Sequence, residues 1–333
     1  MHAMTTPSPA APLLEVKNLE VSFPTKTKTL VAVRDVSFTL HRGERLGLVG
    51  ESGAGKSITG FSILKLISRP GRISGGSILF EGRDLAPLSE QEMRPLRGDR
   101  ISMIFQDPMM TLNPVLTIGT QMVETLQAHR RLSRREAQDI AIETLRAVRI
   151  PSPEKRMAQY PHQFSGGMRQ RIVIAIALLT RPSLIIADEP TTALDVTIQA
   201  EILDLLLELA EHEGMGLLLI THDLAVVSQV TDRVAVMYAG RIVEIGPTEQ
   251  VVHAPQHPYT QGLLAALPQT HAGEPGTGRL AQIHGIMPSL YNTPTGCAFH
   301  PRCPVRIHAC SEDAPALRPC GQTGVLAACH LVE

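Results

Sequence analysis

The chain has 333 residues, enough for one large or two modest domains with a substantial core, and its charge is balanced, 31 Lys plus Arg against 32 Asp plus Glu. That balance excludes the strongly basic footprint of a general nucleic-acid binder, while leaving room for a local patch. No apolar run reaches the roughly 18–20 residues needed to span a bilayer, so any membrane association is expected to come through a partner.

Met1 to Pro12 is rich in Ala, Pro, Thr and Ser, without a positive start or an apolar core, and reads as a disordered tail, not a signal peptide. Residues 14 to 48 alternate apolar and polar side chains, the pattern of a half-buried antiparallel sheet. Phe23 ends its first strand, where a lone Phe is ordinarily a core residue.

The short apolar strand Arg45 to Val49 then enters Gly50-Glu51-Ser52-Gly53-Ala54-Gly55-Lys56-Ser57, and a helical pattern from Ile58 to Leu66 leaves it. Strand, glycine-rich loop ending in Gly-Lys-Ser, and helix together are the signature of a phosphate-binding loop. Backbone N–H groups and the positive end of the helix approach the anion, which glycine permits. Lys56 reaches the outer phosphates as a point charge and the Ser57 hydroxyl ligates Mg²⁺.

Ser77 to Phe80 and Ile101 to Phe105 read as further strands, the latter ending at Gln106. From 108 to about 160 turn signals give way to charged helical stretches, Ile118 to His129 and Ser133 to Val148, closed by Pro151-Ser152-Pro153. Holding a phosphate does not require such an insertion, so it is expected to meet another protein or respond to the nucleotide. The pattern then returns to helix (Arg171 to Leu179), buried strand (Ser183 to Ala187), helix (Ile198 to Glu211) and buried strand (Leu217 to Ile220). This order predicts a parallel α/β sheet with functional residues at the carboxyl ends of its strands. Val234 to Tyr238 and Arg241 to Ile245 read as a closing hairpin.

Asp188, at the tip of an apolar strand, stands where a Mg²⁺-ordering carboxylate belongs, and Glu189 beside it is placed to polarise an attacking water. His222 ends the neighbouring strand and is a candidate hydrogen-bond donor to the same γ-phosphate. Ser165-Gly166-Gly167, opening a helix, makes a second anion site from exposed amides and a hydroxyl. A chain with one phosphate loop and two phosphate-binding ends is expected to serve a nucleotide held by another subunit.

From about Gly246 the composition changes: 11 of the 25 prolines and all five cysteines follow, which predicts a small irregular appendage. Cys297, Cys303, Cys310 and Cys329 are separated by five, six and eighteen residues, with Cys320 between. In an unexported chain this spacing reads as a metal or redox site, with inert thiols the alternative.

The ordered set of phosphate loop, Gln106, Ser165-Gly166-Gly167, Asp188-Glu189, Thr192-Ala193-Leu194-Asp195 and His222 resembles the ATP-binding subunit of ABC transporters over residues 14 to about 246. More narrowly, Gln106 to Pro114, Asp188 to Asp195 and His257-Pro258-Tyr259-Thr260 resemble the oligopeptide, dipeptide and nickel importer subfamily, and Met168-Arg169 looks like the first of its two non-identical ATPase subunits. The resemblance implies a P-loop NTPase (RecA-like) core of residues 14–107 and 166–246 with an antiparallel β subdomain. It also implies a helical subdomain of 108–165, a C-terminal extension of 247–333, and a disordered tail of 1–13.

It further implies that Phe23 stacks on adenine, that Gln106 senses Mg²⁺ and the γ-phosphate, and that Ser165 to Gly167 grip the ATP of the partner. Asp195 would communicate across the dimer and Glu189 would be the general base. Phe164 stands in place of the commoner Leu, and Met168 in place of a frequent Gln that would touch the partner's nucleotide. Similarity through Gly296 to Pro304 and Ala328-Cys329-His330 implies a 4Fe-4S cluster on Cys297, Cys303, Cys310 and Cys329, with zinc as the alternative and Cys320 spare.

The chain is therefore expected to be a peripheral ATPase on the cytoplasmic face of a membrane. Its expected partners are a homologous ATPase subunit, two transmembrane permease subunits and a solute-binding protein. Di- or oligopeptides are the expected cargo, with nickel, heme or a metal-chelator as alternatives. A soluble ATPase of the same superfamily acting on DNA or ribosomes would carry long coiled-coil insertions or two nucleotide domains, and neither is present. A regulatory protein in which the cysteine tail senses iron or redox state is the other competing class.

Overall fold

The computed structural model describes residues 11–191, 195–267 and 282–332. Most of the predicted N-terminal tail, and Thr192, Ala193 and Leu194, lie outside the described residues. The strands are β1 (Leu14–Pro24), β2 (Thr29–Leu40), β3 (Arg45–Val49), β4 (Arg72–Phe80), β5 (Arg83–Asp84), β6 (Ile101–Ile104), β7 (Leu184–Asp188), β8 (Gly216–Thr221), β9 (Arg233–Tyr238), β10 (Arg241–Pro247), β11 (Arg318–Pro319) and β12 (Leu326–Ala327). The chain divides into two compact units, one from Met1–Lys17, Phe38–Glu44 and Ser77–Leu218, the other from Asn18–Ser37, Arg45–Gly76 and Leu219–Glu333.

In the first unit β6 and β7 pair in parallel, Ile101 opposite Leu184 and Ile104 opposite Ala187. Every residue of β7 is buried, as a strand covered on both faces requires. The helix Gly166–Leu178 packs on β6 and on the helix Val196–His212. The predicted charged helices form at Ile118–His129 and Arg134–Ala147 and pack on each other. Thr117 starts the first by accepting the amide of Thr120, and a Ser133–Glu136 capping box starts the second, whose Ala137, Ala141 and Leu145 are buried at a spacing of four. β4 and β5 pair antiparallel, Leu79 opposite Asp84.

In the second unit the strands run in the order β11-β12-β10-β9-β3. Here the sequence expectation needs correction. β3 does not continue the antiparallel alternation of residues 14 to 48; it pairs in parallel with β9, Leu46 opposite Arg233 and Val49 opposite Val236. Its run Leu46 to Val49 is buried throughout, the mark of a central strand. The hairpin of β9 and β10 turns at Ala239-Gly240, as read from sequence.

The tail is also more regular than its proline content suggests. It forms helices at Thr248–His253 and Pro258–Ala265, and β12 pairs antiparallel with β10, Glu244 opposite Ala327. Tyr238, Tyr259 and Phe299 supply its packing. Tyr238 meets Tyr259 at 4.7 Å and Phe299 at 5.2 Å between ring centroids, both edge to face, and all three are buried.

Candidate functional site

In the second unit β3 delivers the chain to Gly50. A side chain there would collide with the carbonyl of Met237, since a Cβ would stand 2.3 Å from that oxygen. Gly55 closes the loop at φ +104, and a Cβ on it would lie 2.9 Å from the Ala32 carbonyl. Between these fixed ends Ser52 and Gly53 are exposed and Ala54 is buried.

The helix Lys56–Ile63 begins directly after Gly55, which caps it without a side chain, so no carboxylate neutralises its positive end. Lys56 is 5% exposed, and its Nζ donates to the carbonyls of Gly50 (2.8 Å) and Glu51 (3.2 Å). The ammonium is thus folded over the loop it follows. Ser57 stands in the first turn of the same helix.

Phe23 is half-buried and packs against Gly71, where a Cβ would lie 2.4 Å from Phe23 Cε1. His222 is exposed just beyond the buried end of β8 at Thr221. Its neighbour Asp223 fixes the turn by accepting the amides of Ala225 (2.8 Å) and Val226 (3.3 Å) at the start of the helix Leu224–Val230.

In the first unit parallel pairing dictates the geometry. Because β6 and β7 run side by side, Gln106 and Glu189, just past their carboxyl ends, meet: Gln106 Nε2 donates to Glu189 Oε2 at 3.0 Å. Asp188, the last residue of β7, is 4% exposed, and Glu189 turns the chain away with a left-handed backbone, φ 46.

Ser165 is the exposed N-cap of the helix Gly166–Leu178, its Oγ accepting the Met168 amide at 3.4 Å, and Gly166 beside it is exposed. Gly167 faces the helix Val196–His212 so closely that a Cβ would come 2.9 Å from Ile198 Cγ2. That second helix is capped by exposed Asp195, which accepts the Ile198 amide at 3.0 Å. The candidate residues Ser165 to Gly167 and Asp195 therefore sit at adjoining helix starts.

The tail binds itself to the phosphate loop through residues of the stretches that carry the subfamily resemblance. Buried Glu244 accepts the amides of Gln256 (2.7 Å) and His257 (3.0 Å), and His257 Nδ1 accepts the Tyr259 amide at 3.0 Å. Tyr259 Oη then accepts the amide of Glu51 at 3.0 Å, and Arg302 donates to the carboxylate of Glu51. His257-Pro258-Tyr259-Thr260 and the stretch Gly296 to Pro304, which contains Arg302, are the sequence signals here, and both mark the subfamily resemblance without pointing to the phosphate loop.

All five cysteines are free thiols. Cys297, Cys303, Cys310 and Cys329 line one small cavity with His300 and His330, while Cys320 lies outside it in the β11–β12 turn, its amide donating to the Val325 carbonyl at 2.9 Å. The 4Fe-4S expectation is not carried further by this geometry. Among the described residues no three His, Cys, Asp or Glu side chains are arranged to hold a metal ion. Burial pushes the Cys297, Cys303 and Cys329 thiols above their ordinary range.

Comparison with known proteins accounts for both parts of the chain. Residues 33–192 match the ABC transporter family, and residues 243–310 match the oligopeptide/dipeptide transporter C-terminal region. The dipeptide transport ATP-binding protein DppD of Bacillus subtilis is 51% identical, over 91% of this chain and 90% of its own length. The oligopeptide transport ATP-binding protein OppD of Salmonella typhimurium is 49% identical, over 94% and 92% respectively. Among solved structures, the dimeric bacterial ABC transporter cassette MJ0796 covers 71% of this chain and 98% of its own at 27% identity, with a TM-score of 0.64. CbiO1 of Clostridium perfringens, part of the transporter complex CbiONQ, covers 72% and 90% at 28% identity, with a TM-score of 0.62. With the mixed α/β core, the phosphate loop and this likeness along nearly its whole length, the chain belongs to the ABC transporter ATP-binding family, in the group that carries the oligopeptide/dipeptide transporter C-terminal region.

Proposed function

We propose that the chain is the ATP-hydrolysing subunit of an importer for di- and oligopeptides, the first of two homologous ATPases, acting at the cytoplasmic face of the membrane. The relatives named for dipeptide and oligopeptide transport support the cargo class. The observation that carries the enzymatic part is the Gly50–Ser57 loop, which combines a helix start without a capping carboxylate with an ammonium poised over the loop.

In this reading the loop amides and Lys56 neutralise the β- and γ-phosphates, and Phe23 stacks on the adenine ring. Glu189 accepts the proton of the attacking water, held in place by Gln106, while His222 donates to the γ-phosphate. Mg²⁺ supplies charge neutralisation at the phosphates; the Ser57 hydroxyl, the Asp188 carboxylate and the Gln106 amide are the oxygen donors that suit so hard a cation. Ser165 to Gly167 and Asp195 serve the ATP of the partner ATPase, an assignment supported by the exposure of Ser165, Gly166 and Asp195 at two adjoining helix starts.

The division into a nucleotide-binding core of 14–107 and 166–246, a helical subdomain of 108–165 and an extension of 247–333 is part of the same proposal. The helical subdomain would dock on two transmembrane permease subunits, which receive cargo from a solute-binding protein. Exposed apolar side chains of Met109, Met110 and Val115 support that docking role. For the tail we infer a metal or redox site at Cys297, Cys303, Cys310 and Cys329, supported by their shared cavity. A 4Fe-4S group there is tested by iron and acid-labile sulfide content in anaerobically purified protein, and equimolar zinc without sulfide would replace it.

The decisive experiment is Glu189→Gln in the purified complex. ATP should remain bound while turnover drops by about 10²–10³-fold. Turnover within threefold of the parent, or a chain that purifies without integral membrane partners, overturns the reading.

A further inference from the structure

The phosphate loop of this ATPase contains an acidic residue where a polyanion must bind. Glu51 follows Gly50 directly, and its charge opposes that of the nucleotide unless something neutralises it. The structure provides the neutralising group from the far end of the chain. Arg302 Nη1 lies 3.1 Å from both carboxylate oxygens of Glu51 and 3.3 Å from Tyr238 Oη.

The Arg302 side chain is only 7% exposed, and its remaining donors are committed as well, Nε to the His284 carbonyl at 3.0 Å and Nη2 to the Ile283 carbonyl at 3.4 Å. A guanidinium held on five acceptors cannot swing away, so the pair is fixed, unlike an exposed ion pair of two mobile chains. The backbone of Glu51 is fixed too, through the hydrogen bond from its amide to Tyr259 Oη. Both handles of one loop residue are therefore held by residues between 238 and 302.

The consequence reaches Lys56, whose Nζ rests on the carbonyls of Gly50 and Glu51. Displacing residue 51 displaces the seat of the ammonium that must transfer to the phosphates. We propose that Arg302 is a positioning residue for ATP binding: it cancels the Glu51 charge inside the phosphate loop and holds the first turn of that loop in register. The C-terminal extension is in this way a structural part of the nucleotide site.

Mg-ATP binding to the full-length chain, read by displacement of a fluorescent ATP analogue, tests this together with KM and kcat of the assembled complex. Arg302→Gln leaves the Glu51 carboxylate uncompensated, so Kd and KM should rise about tenfold while kcat changes less than about threefold. Adding Glu51→Gln to that variant removes the offending charge and should recover at least about threefold of the loss, a relief that loss of packing alone does not give. If Arg302→Gln does not fold, Arg302→Lys carries the test, with a KM rise of about threefold that Glu51→Gln again relieves. Unchanged Kd and KM in a folded Arg302 variant, or a double variant no better than the single, overturns the proposal. ATP binding by the parent chain in the same titration checks the ATPase assignment separately.

Discussion

Glu189, the proposed general base, stands in a backbone conformation that side chains avoid. With φ 46, left-handed backbone costs a residue with a Cβ about 1–2 kcal/mol, and Pro190 next to it restricts relaxation. What holds it there is the end of buried β7 on one side and the hydrogen bond from Gln106 on the other. The strain turns the carboxylate out of the strand direction toward Gln106. It predicts a reversal of the ordinary rule for small residues. Glu189→Gly should be more stable than Glu189→Ala by about 1 kcal/mol in urea unfolding, although both lose hydrolysis. If Ala is the more stable replacement, the strain is absent.

His257 supplies a second prediction at this scale. It is 1% exposed, and burial lowers its pKa from 6.5 to about 4, against a smaller opposing effect from its hydrogen bond to the Ala328 backbone. The unfolded chain therefore takes up a proton near pH 6.5 that the folded chain refuses until about pH 4. Stability from this group is complete above pH 6.5 and is lost as the pH falls toward 4, amounting to about 3 kcal/mol. Urea midpoints across this range should fall in the parent and fall less steeply, by about one proton, in His257→Asn, which can still cap the helix at Pro258. Equal slopes in the two proteins would assign the acid sensitivity to other groups.

At the scale of elements, what was legible followed from local rules. The helices Ile118–His129 and Arg134–Ala147 carry their own caps and apolar stripes, and the structure places them within a residue of the reading. Gly50 to Ser57 was equally plain, since glycine spacing and the Gly-Lys-Ser ending are contiguous. The apolar pattern of the helix that follows Ser165 runs only from Arg171, but Ser165-Gly166-Gly167 marks its opening. The structure starts the helix at Gly166, where the Ser165 cap and packing against Ile198 outweigh the low helix propensity of two glycines.

Pairing between distant segments was not legible. β3 is legible as a short apolar strand, but the alternating antiparallel pattern read over residues 14 to 48 extends over it, and nothing local encodes its parallel pairing with β9, nearly 190 residues on. The Gln106–Glu189 contact spans 83 residues and the Arg302–Glu51 contact 251, and no local pattern encodes either. The regularity of the tail escaped for a related reason. β11 and β12 have two residues each and no periodicity, and they form strands because β12 pairs with the edge of β10 on one side and with β11 on the other.

For the whole molecule the question is how hydrolysis reaches a membrane. Among the described residues no helix is long and apolar enough to cross one. In the proposed function, force passes to the permease subunits through a docking surface. Apolar side chains left in water are the proposed place of it. Met110 is 83% exposed and Val115 75%, in the short stretch between the Gln106–Glu189 contact and the helix Ile118–His129. A surface so close in sequence to Gln106 is suited to feel the state of the site, because the residue that touches Glu189 and the residues that meet the partner are separated by only a few peptide units.

Scattered exposed hydrophobes are ordinary on a protein surface, so the distinguishing test is direct. Met110→Glu with Val115→Glu places two charges in the proposed contact, and burying them unpaired should weaken docking by about a hundredfold or more. The expected outcome is transfer of the subunit from the membrane pellet to the supernatant, with loss of transport and of any stimulation of ATPase by the permease. Retention in the pellet with full transport would place the docking surface elsewhere on the chain.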